Sequence, residues 1–121
     1  MWIEGNYRRN LLDMHIDDWN EEFLSKVDPE AYAEALKEAG VQAAMVKAMP
    51  HTGLCNFPTK INRTHKGLKG RDFFGEVLNA CHKRDIKVIA YFSQVFDNYA
   101  SDKHPEWRTI SAEGKTHRDF R

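Results

Sequence analysis

Asp28-Pro29-Glu30-Ala31-Tyr32-Ala33-Glu34-Ala35-Leu36-Lys37-Glu38-Ala39-Gly40-Val41-Gln42-Ala43-Ala44-Met45-Val46-Lys47-Ala48 contains a helix and a strand joined almost without a break, and this stretch decides how the rest of the chain reads. Asp28 can accept hydrogen bonds from the free N–H groups of a first helical turn, and Pro29 at the first helical position gives up no internal bond. Tyr32, Ala35, Leu36 and Ala39 fall at helical spacing, and Gly40 supplies the left-handed residue that ends a helix. The run from Val41 to Ala48 is mostly apolar and too short for another helix, which predicts a largely buried strand.

Reading outward toward the start, Arg9-Asn10-Leu11-Leu12-Asp13-Met14-His15-Ile16-Asp17 is predicted to be a first strand. Asp17 to Leu24 then reads as one or two helical turns, with Trp19, Phe23 and Leu24 to one side. In the other direction, residues 49–69 hold Pro50, Gly53, Pro58 and Gly67 without a period, so they form a long loop of the kind that carries function. A second helix follows, with Phe74, Val77, Leu78 and Cys81 on one face and Lys83 and Arg84 in its last turn, where they complement the helix dipole. Ile86 to Ser93 is the third strand. Gln94 to Arg121 shows no period, only aromatic and charged residues broken by Pro105 and Gly114.

Strands alternating with helices require parallel pairing and right-handed crossovers. A parallel sheet must be covered on both faces, and two helices cover one. Three strands cannot close a (β/α)₈ barrel, which takes roughly 250 residues. The expected fold is therefore α/β, a partial TIM (β/α)₈ barrel of about three parallel strands with two main helices over residues 1–121, completed by more chain or by a partner molecule. A five-stranded doubly wound domain is the rival, but only three strands can be found. Long strand-to-helix loops and short helix-to-strand joints favour the barrel, whose sites lie at the carboxyl ends of the strands.

Composition narrows the partners. Of 121 residues 41% are hydrophobic and 30% charged, as a globular core needs. Lys plus Arg and Asp plus Glu are both 18, and this net charge of zero gives no field to hold nucleic acid or an anionic membrane. No apolar run approaches the roughly 20 residues of a membrane span, and Met1 to Asn10 has no apolar signal region, so a cytoplasmic location is expected. Cys55 and Cys81 are isolated and expected to be free thiols.

The strand ends collect His15, Asp17 and Asp18, then Pro50, His51 and Thr52, then Ser93, Gln94, Asp97, Asn98 and Tyr99. His15 reads equally as a contact for ligand hydroxyls or as a packed histidine satisfied by backbone. His51, directly after the strand and Pro50, is the better-placed contact. Asp17 and Asp18 are expected to cap the following turn, and Asp97 and Glu106 to be solvated or capping. His65, His82, His104 and His117 read as surface residues. Trp19, Phe57, Tyr91, Phe96, Tyr99 and Trp107 could stack on sugar rings, though packing is the ordinary role of an aromatic. The loop 49–69 has no Asp or Glu, so it can orient and donate but cannot supply a carboxyl acid. Gly-rich phosphate, nucleophile-elbow and zinc-protease motifs are absent, and Met14-His15-Ile16-Asp17 lacks the paired histidines of barrel metal hydrolases.

Several stretches together carry a resemblance. Asp28-Pro29-Glu30-Ala31, Lys37-Glu38-Ala39-Gly40-Val41 and Lys47-Ala48-Met49-Pro50-His51-Thr52-Gly53-Leu54-Cys55-Asn56-Phe57-Pro58-Thr59-Lys60 are followed by Gly70-Arg71-Asp72, Ala80-Cys81-His82-Lys83-Arg84, Ala90-Tyr91-Phe92-Ser93 and His104-Pro105-Glu106-Trp107. In this order they resemble the early barrel of α-L-fucosidases, and more closely the amino-terminal segment of hypothetical glycosyl hydrolases related to that group, over residues 9 to 121. The resemblance implies a retaining glycoside hydrolase barrel in which histidines after the first two strands hold substrate hydroxyls. His15 matches the first-strand histidine and His51 the second of a histidine pair; Pro50 and Thr52 replace the other histidine and the following aspartate. The family's nucleophile and acid/base fall on later strands, beyond Arg121, so no catalytic residue is expected here. The implied ligand is a carbohydrate held by His15 and His51, with Tyr91 and Trp19 read from the sequence as aromatics to contact it, without cofactor or metal, and with the remainder of the barrel or a homo-oligomer as partner. A noncatalytic sugar-binding or assembly fragment that pairs with another chain is the alternative, and metal-assisted hydrolysis a third.

Overall fold

The structure, a computed structural model, describes residue 1 and residues 3–116, so the surface position expected for His117 lies outside the described residues. In chain order the elements are β1 (Arg9–Leu11), α1 (Pro29–Glu38), β2 (Ala43–Met49), β3 (Leu54–Cys55), β4 (Arg63–Thr64), α2 (Phe73–His82), β5 (Lys87–Phe92) and α3 (Asn98–Lys103). β1, β2 and β5 form one parallel sheet in that order, with Asn10 beside Ala44 and Ala44 beside Val88. The α/β alternation read from the sequence is therefore present, with neighbours in space following neighbours in sequence.

Both main helices stop where the sequence says they should, by closely related devices. Asp28 accepts from the N–H groups of Glu30 and Ala31 at 3.0 Å, with Pro29 in the first turn of α1. At the other end Val41 N–H returns to Leu36 C=O at 2.9 Å and Gly40 N–H to Lys37 C=O at 3.0 Å, with Gly40 at φ +69°. This pair of bonds satisfies two of the last free carbonyls and needs a left-handed residue at its centre. α2 closes the same way, Ile86 N–H to Cys81 C=O at 3.0 Å and Asp85 N–H to His82 C=O at 3.1 Å, but the left-handed residue is Asp85 at φ +57°.

α1 and α2 share one side of the sheet. Ala33, Leu36, Val77, Ala80 and Cys81 from the helices meet Ala44, Val46 and Ile86 in one buried cluster. Because side chains alternate along a strand, Lys47 then projects to the opposite face. There Leu11 remains 48% exposed, and the outer edges of β1 and β5 pair with no strand among the described residues. Lys83 and Arg84 do more than complement the dipole: Lys83 reaches Glu30, and Arg84 reaches Glu30 and Glu34, at 2.7–2.8 Å, tying the two helices together on their solvent side.

Four sequence expectations are corrected. The first strand pairs only through Leu11; from Asp13 onward its polar groups are taken up by side-chain contacts rather than by a ladder. Residues 17–24 make bends and turns, not helix, with Leu24 at φ +61°. The loop 49–69 contains β3 and β4, paired parallel, and a short 3₁₀ turn at Lys66–Leu68; two-residue strands leave no period to read. α3 occupies part of the stretch read as featureless, with the Asp97 carboxylate accepting from Ala100 N–H at 2.8 Å.

Candidate functional site

Lys47 on β2 and Tyr91 on β5 are neighbours in the parallel register, so their side chains rise on the same face of the sheet. The Lys47 ammonium lies 3.6 Å above the centre of the Tyr91 ring, a cation–π contact. Lys47 is only 3% exposed, and a buried ammonium needs a counter-charge. Asp13, just past the end of β1, provides it: Lys47 Nζ stands 2.8 Å from Asp13 Oδ1. His15 lies on the same side of this extended segment two residues on, with Nε2 at 2.9 Å from the same oxygen and 3.0 Å from Lys47 Nζ.

The backbone defines the state of His15. His51 N–H donates to His15 Nδ1 at 3.1 Å, so that nitrogen carries a lone pair and the proton of the neutral ring sits on Nε2, pointing at Asp13. Burial, reinforced by the nearby Lys47 charge, holds the His15 pKa below its ordinary value and favours this neutral form. On Asp13 the Lys47 hydrogen bond acts in the other sense, lowering the carboxyl pKa against a smaller opposing effect of desolvation.

His51 follows β2 directly. Its ring lies 4.0 Å from that of His15, and Nε2 is 2.7 Å from the Tyr91 hydroxyl. The loop after β5 folds over it. Phe96 packs at 5.0 Å ring to ring, Asn98 N–H donates to His51 C=O at 3.0 Å, and Ser93 Oγ donates to Phe96 C=O at 2.5 Å to hold the turn. Gly53 makes this closure possible. It sits at φ +75°, and a Cβ there would fall 2.2 Å from Asp97 Oδ1 and 2.8 Å from the Tyr99 nitrogen.

Of the residues singled out in the sequence, the fold brings His15, His51 and Tyr91 into one cluster at the carboxyl ends of β1, β2 and β5. Trp19 is 76% exposed and packs edge-on against Phe23 at 4.6 Å, and no contact with the histidines is shown. Asp18 does not cap a turn: it is buried and paired with Arg63. Burial pushes its carboxyl pKa up, but the Arg63 hydrogen bond and charge outweigh this and leave it lowered. His65 is a correction as well. It is 1% exposed rather than on the surface, because Nε2–H donates to Asp17 C=O at 3.1 Å while Nδ1 accepts from Gly67 N–H at 3.1 Å. Together these contacts fasten the loop 49–69 to the segment after β1. His82 is exposed, and His104 is half-buried, stacked on Trp107 at 3.8 Å with Nδ1 3.1 Å from Glu106.

Sequence reasoning passed over Asp13 and Lys47. One signal was available: a lysine inside an apolar run expected to be buried demands a partner, and Asp13 stands two residues before a candidate histidine. Cys55 and Cys81 are buried free thiols, each pushed up in pKa by that burial. Among the described residues no group of three or more His, Cys, Asp or Glu side chains is placed to hold a metal ion.

Parallel strands in sequential order, with a compact polar cluster on their carboxyl ends, define the class: an α/β protein that places its chemistry where such sheets bind ligands. The chain belongs to the family described as hypothetical glycosyl hydrolase 6, whose model matches residues 28–120. It is similar to alpha-L-fucosidase isoenzyme 2 from Paenibacillus thiaminolyticus, at 26% identity and a TM-score of 0.83, over 91% of this chain and 16% of that one. It is also similar to an alpha-L-fucosidase from Bacteroides thetaiotaomicron, at 28% identity and a TM-score of 0.59, over 81% of this chain and 21% of that one. A third solved structure, the alpha-fucosidase of Thermotoga maritima, aligns at 29% identity and a TM-score of 0.55, over 60% of this chain and 18% of that one. The chain thus spans about a fifth or less of the length of these enzymes. No curated protein matches it.

Proposed function

We propose that the chain supplies the first three β/α units of a glycoside hydrolase (β/α)₈ barrel and that its cluster holds the hydroxyls of an α-L-fucoside or related glycoside. The observation that supports this most is the convergence of Asp13, His15, Lys47, His51 and Tyr91 from three consecutive parallel strands onto one carboxyl-end site. Phenol and carboxylate groups pair with sugar hydroxyls in both donor and acceptor senses, and Trp19 is an exposed aromatic for a sugar face beyond the cluster. The outer edges of β1 and β5, which pair with no strand among the described residues, fit a sheet continued by further barrel strands.

Glycoside hydrolysis takes two carboxyl groups, one of them able to deliver a proton. Lys47 holds the Asp13 carboxyl below its ordinary pKa, which suits it poorly to deliver a proton, so in this reading the general acid comes from elsewhere in the barrel. Titration with L-fucose, followed through the imidazole ring-proton signals, tests the reading. His15 and His51 signals should move together, while that of exposed His82 stays in place. Unmoved cluster signals, or an equal drift at His82, would refute it. Cleavage of a nitrophenyl α-L-fucoside by this chain alone would contradict the placement of the catalytic carboxyls.

A further inference from the structure

We propose that Asp13 is the residue that selects the ligand at this site, its outer carboxylate oxygen accepting a hydroxyl hydrogen from a neutral sugar, while His15 and Lys47 are positioning residues that act through it. This rests on the sugar-binding reading above and assigns roles within it.

His15 has no ring nitrogen to spare for a ligand. Nδ1 accepts from His51 N–H, and the single proton of the neutral ring sits on Nε2 and faces Asp13 Oδ1. Lys47 is almost wholly buried, with its ammonium divided between Asp13 Oδ1 and the Tyr91 ring. Both groups therefore converge on one oxygen of Asp13, and two donors on one atom fix the plane of the carboxylate. Oδ2 takes no hydrogen bond among the described residues, on a side chain that is 66% exposed. A carboxylate so braced is acceptor-only. It rewards a hydroxyl donor and repels a carboxylate or phosphate, which points to neutral sugars over uronic acids or sugar phosphates.

The experiment compares L-fucose with D-glucuronate on the full chain by titration, using Asp13→Asn, His15→Gln and His15→Leu variants whose folds are checked by their amide spectra. The wild type should bind L-fucose and prefer it to D-glucuronate. Asp13→Asn should weaken L-fucose binding about tenfold or more, the effect of losing one charge-assisted hydrogen bond, and erase the preference. His15→Gln, whose amide can still donate to Asp13, should retain most of the binding that His15→Leu loses. Imidazole ¹⁵N shifts give a readout that needs no ligand: His15 should be the Nε2–H tautomer. If the wild type binds L-fucose and Asp13→Asn binds it equally well, or if His15 carries its proton on Nδ1, the role of Asp13 is wrong while sugar binding stands. If the wild type binds no sugar, both fall.

Discussion

Replacing Gly53 by alanine should damage the molecule far more than the same change at Gly70, although both glycines occupy the left-handed region, at φ +75° and φ +84°. That shared conformation costs an L-residue about 1 kcal/mol after allowing for the extra freedom glycine loses on folding. At Gly70 nothing lies within 4 Å of the new Cβ, so strain is the whole effect. At Gly53 the methyl would meet Asp97 Oδ1 at 2.2 Å, the Tyr99 Cβ at 2.7 Å and the Tyr99 nitrogen at 2.8 Å. Two of these atoms belong to a helix's first turn and cannot simply rotate aside, and overpacking of this kind adds about 1–3 kcal/mol. The expected losses are about 1 kcal/mol for Gly70→Ala and about 2–4 kcal/mol for Gly53→Ala, a difference of several degrees in midpoint for a chain of this size. Chemical denaturation of both variants beside the wild type measures the difference directly. Because the displaced turn carries Phe96 and the Asn98 N–H bound to His51 C=O, Gly53→Ala should also shift the His51 ring signals. Equal stability losses in the two variants would show that the 97–99 turn does not rest on Gly53.

Three further outcomes follow from the contacts. Arg63→Ala leaves the buried Asp18 carboxylate without its counter-charge and should cost about 2 kcal/mol at neutral pH in urea unfolding, less than a fully buried pair because Arg63 is 44% exposed; an unchanged midpoint would mean the pair is idle. Asp85→Gly relieves an L-residue at φ +57° on an exposed helix end and should stabilise by about 0.5–1 kcal/mol, visible as a raised midpoint; a lowered one would assign the Asp85–Lys87 pair more weight than geometry gives it. The His15 pKa is lowered in the folded state from 6.5, so above that value neither state is protonated and His15 contributes no pH dependence; as pH falls below it the unfolded chain takes up a proton that the folded chain refuses, and stability declines until the folded pKa is passed. The stability difference between wild type and His15→Gln should therefore shift against the wild type across that acidic window, and a flat difference would show that His15 titrates normally.

What was legible in the sequence was what local chemistry dictates. Asp28-Pro29 and Gly40 mark α1 because a cap, a fixed φ and a left-handed residue each act within a few residues, and the apolar run after Gly40 could only be a strand. The end of α2 was legible from Lys83, Arg84 and the apolar run from Ile86, although the left-handed residue there is Asp85 rather than a glycine. β3 and β4 were invisible because their pairing is set by what they dock on, with His65 and Arg63 reaching back to Asp17 and Asp18 across more than forty residues of sequence. In the site, His15 and His51 could be found from their positions at strand ends, and Tyr91 as an aromatic able to stack on a sugar ring. Asp13 and Lys47 could not be paired without the register that sets Lys47 beside Tyr91 and brings the segment past β1 over both.

The most direct measurement of the central claim is the set of intermolecular nuclear Overhauser contacts from L-fucose bound to this chain. Cross-peaks from the sugar ring protons to the ring protons of His51 and Tyr91, with none to His82, are the expected result. A bound sugar that contacts neither ring would place recognition elsewhere and contradict the account.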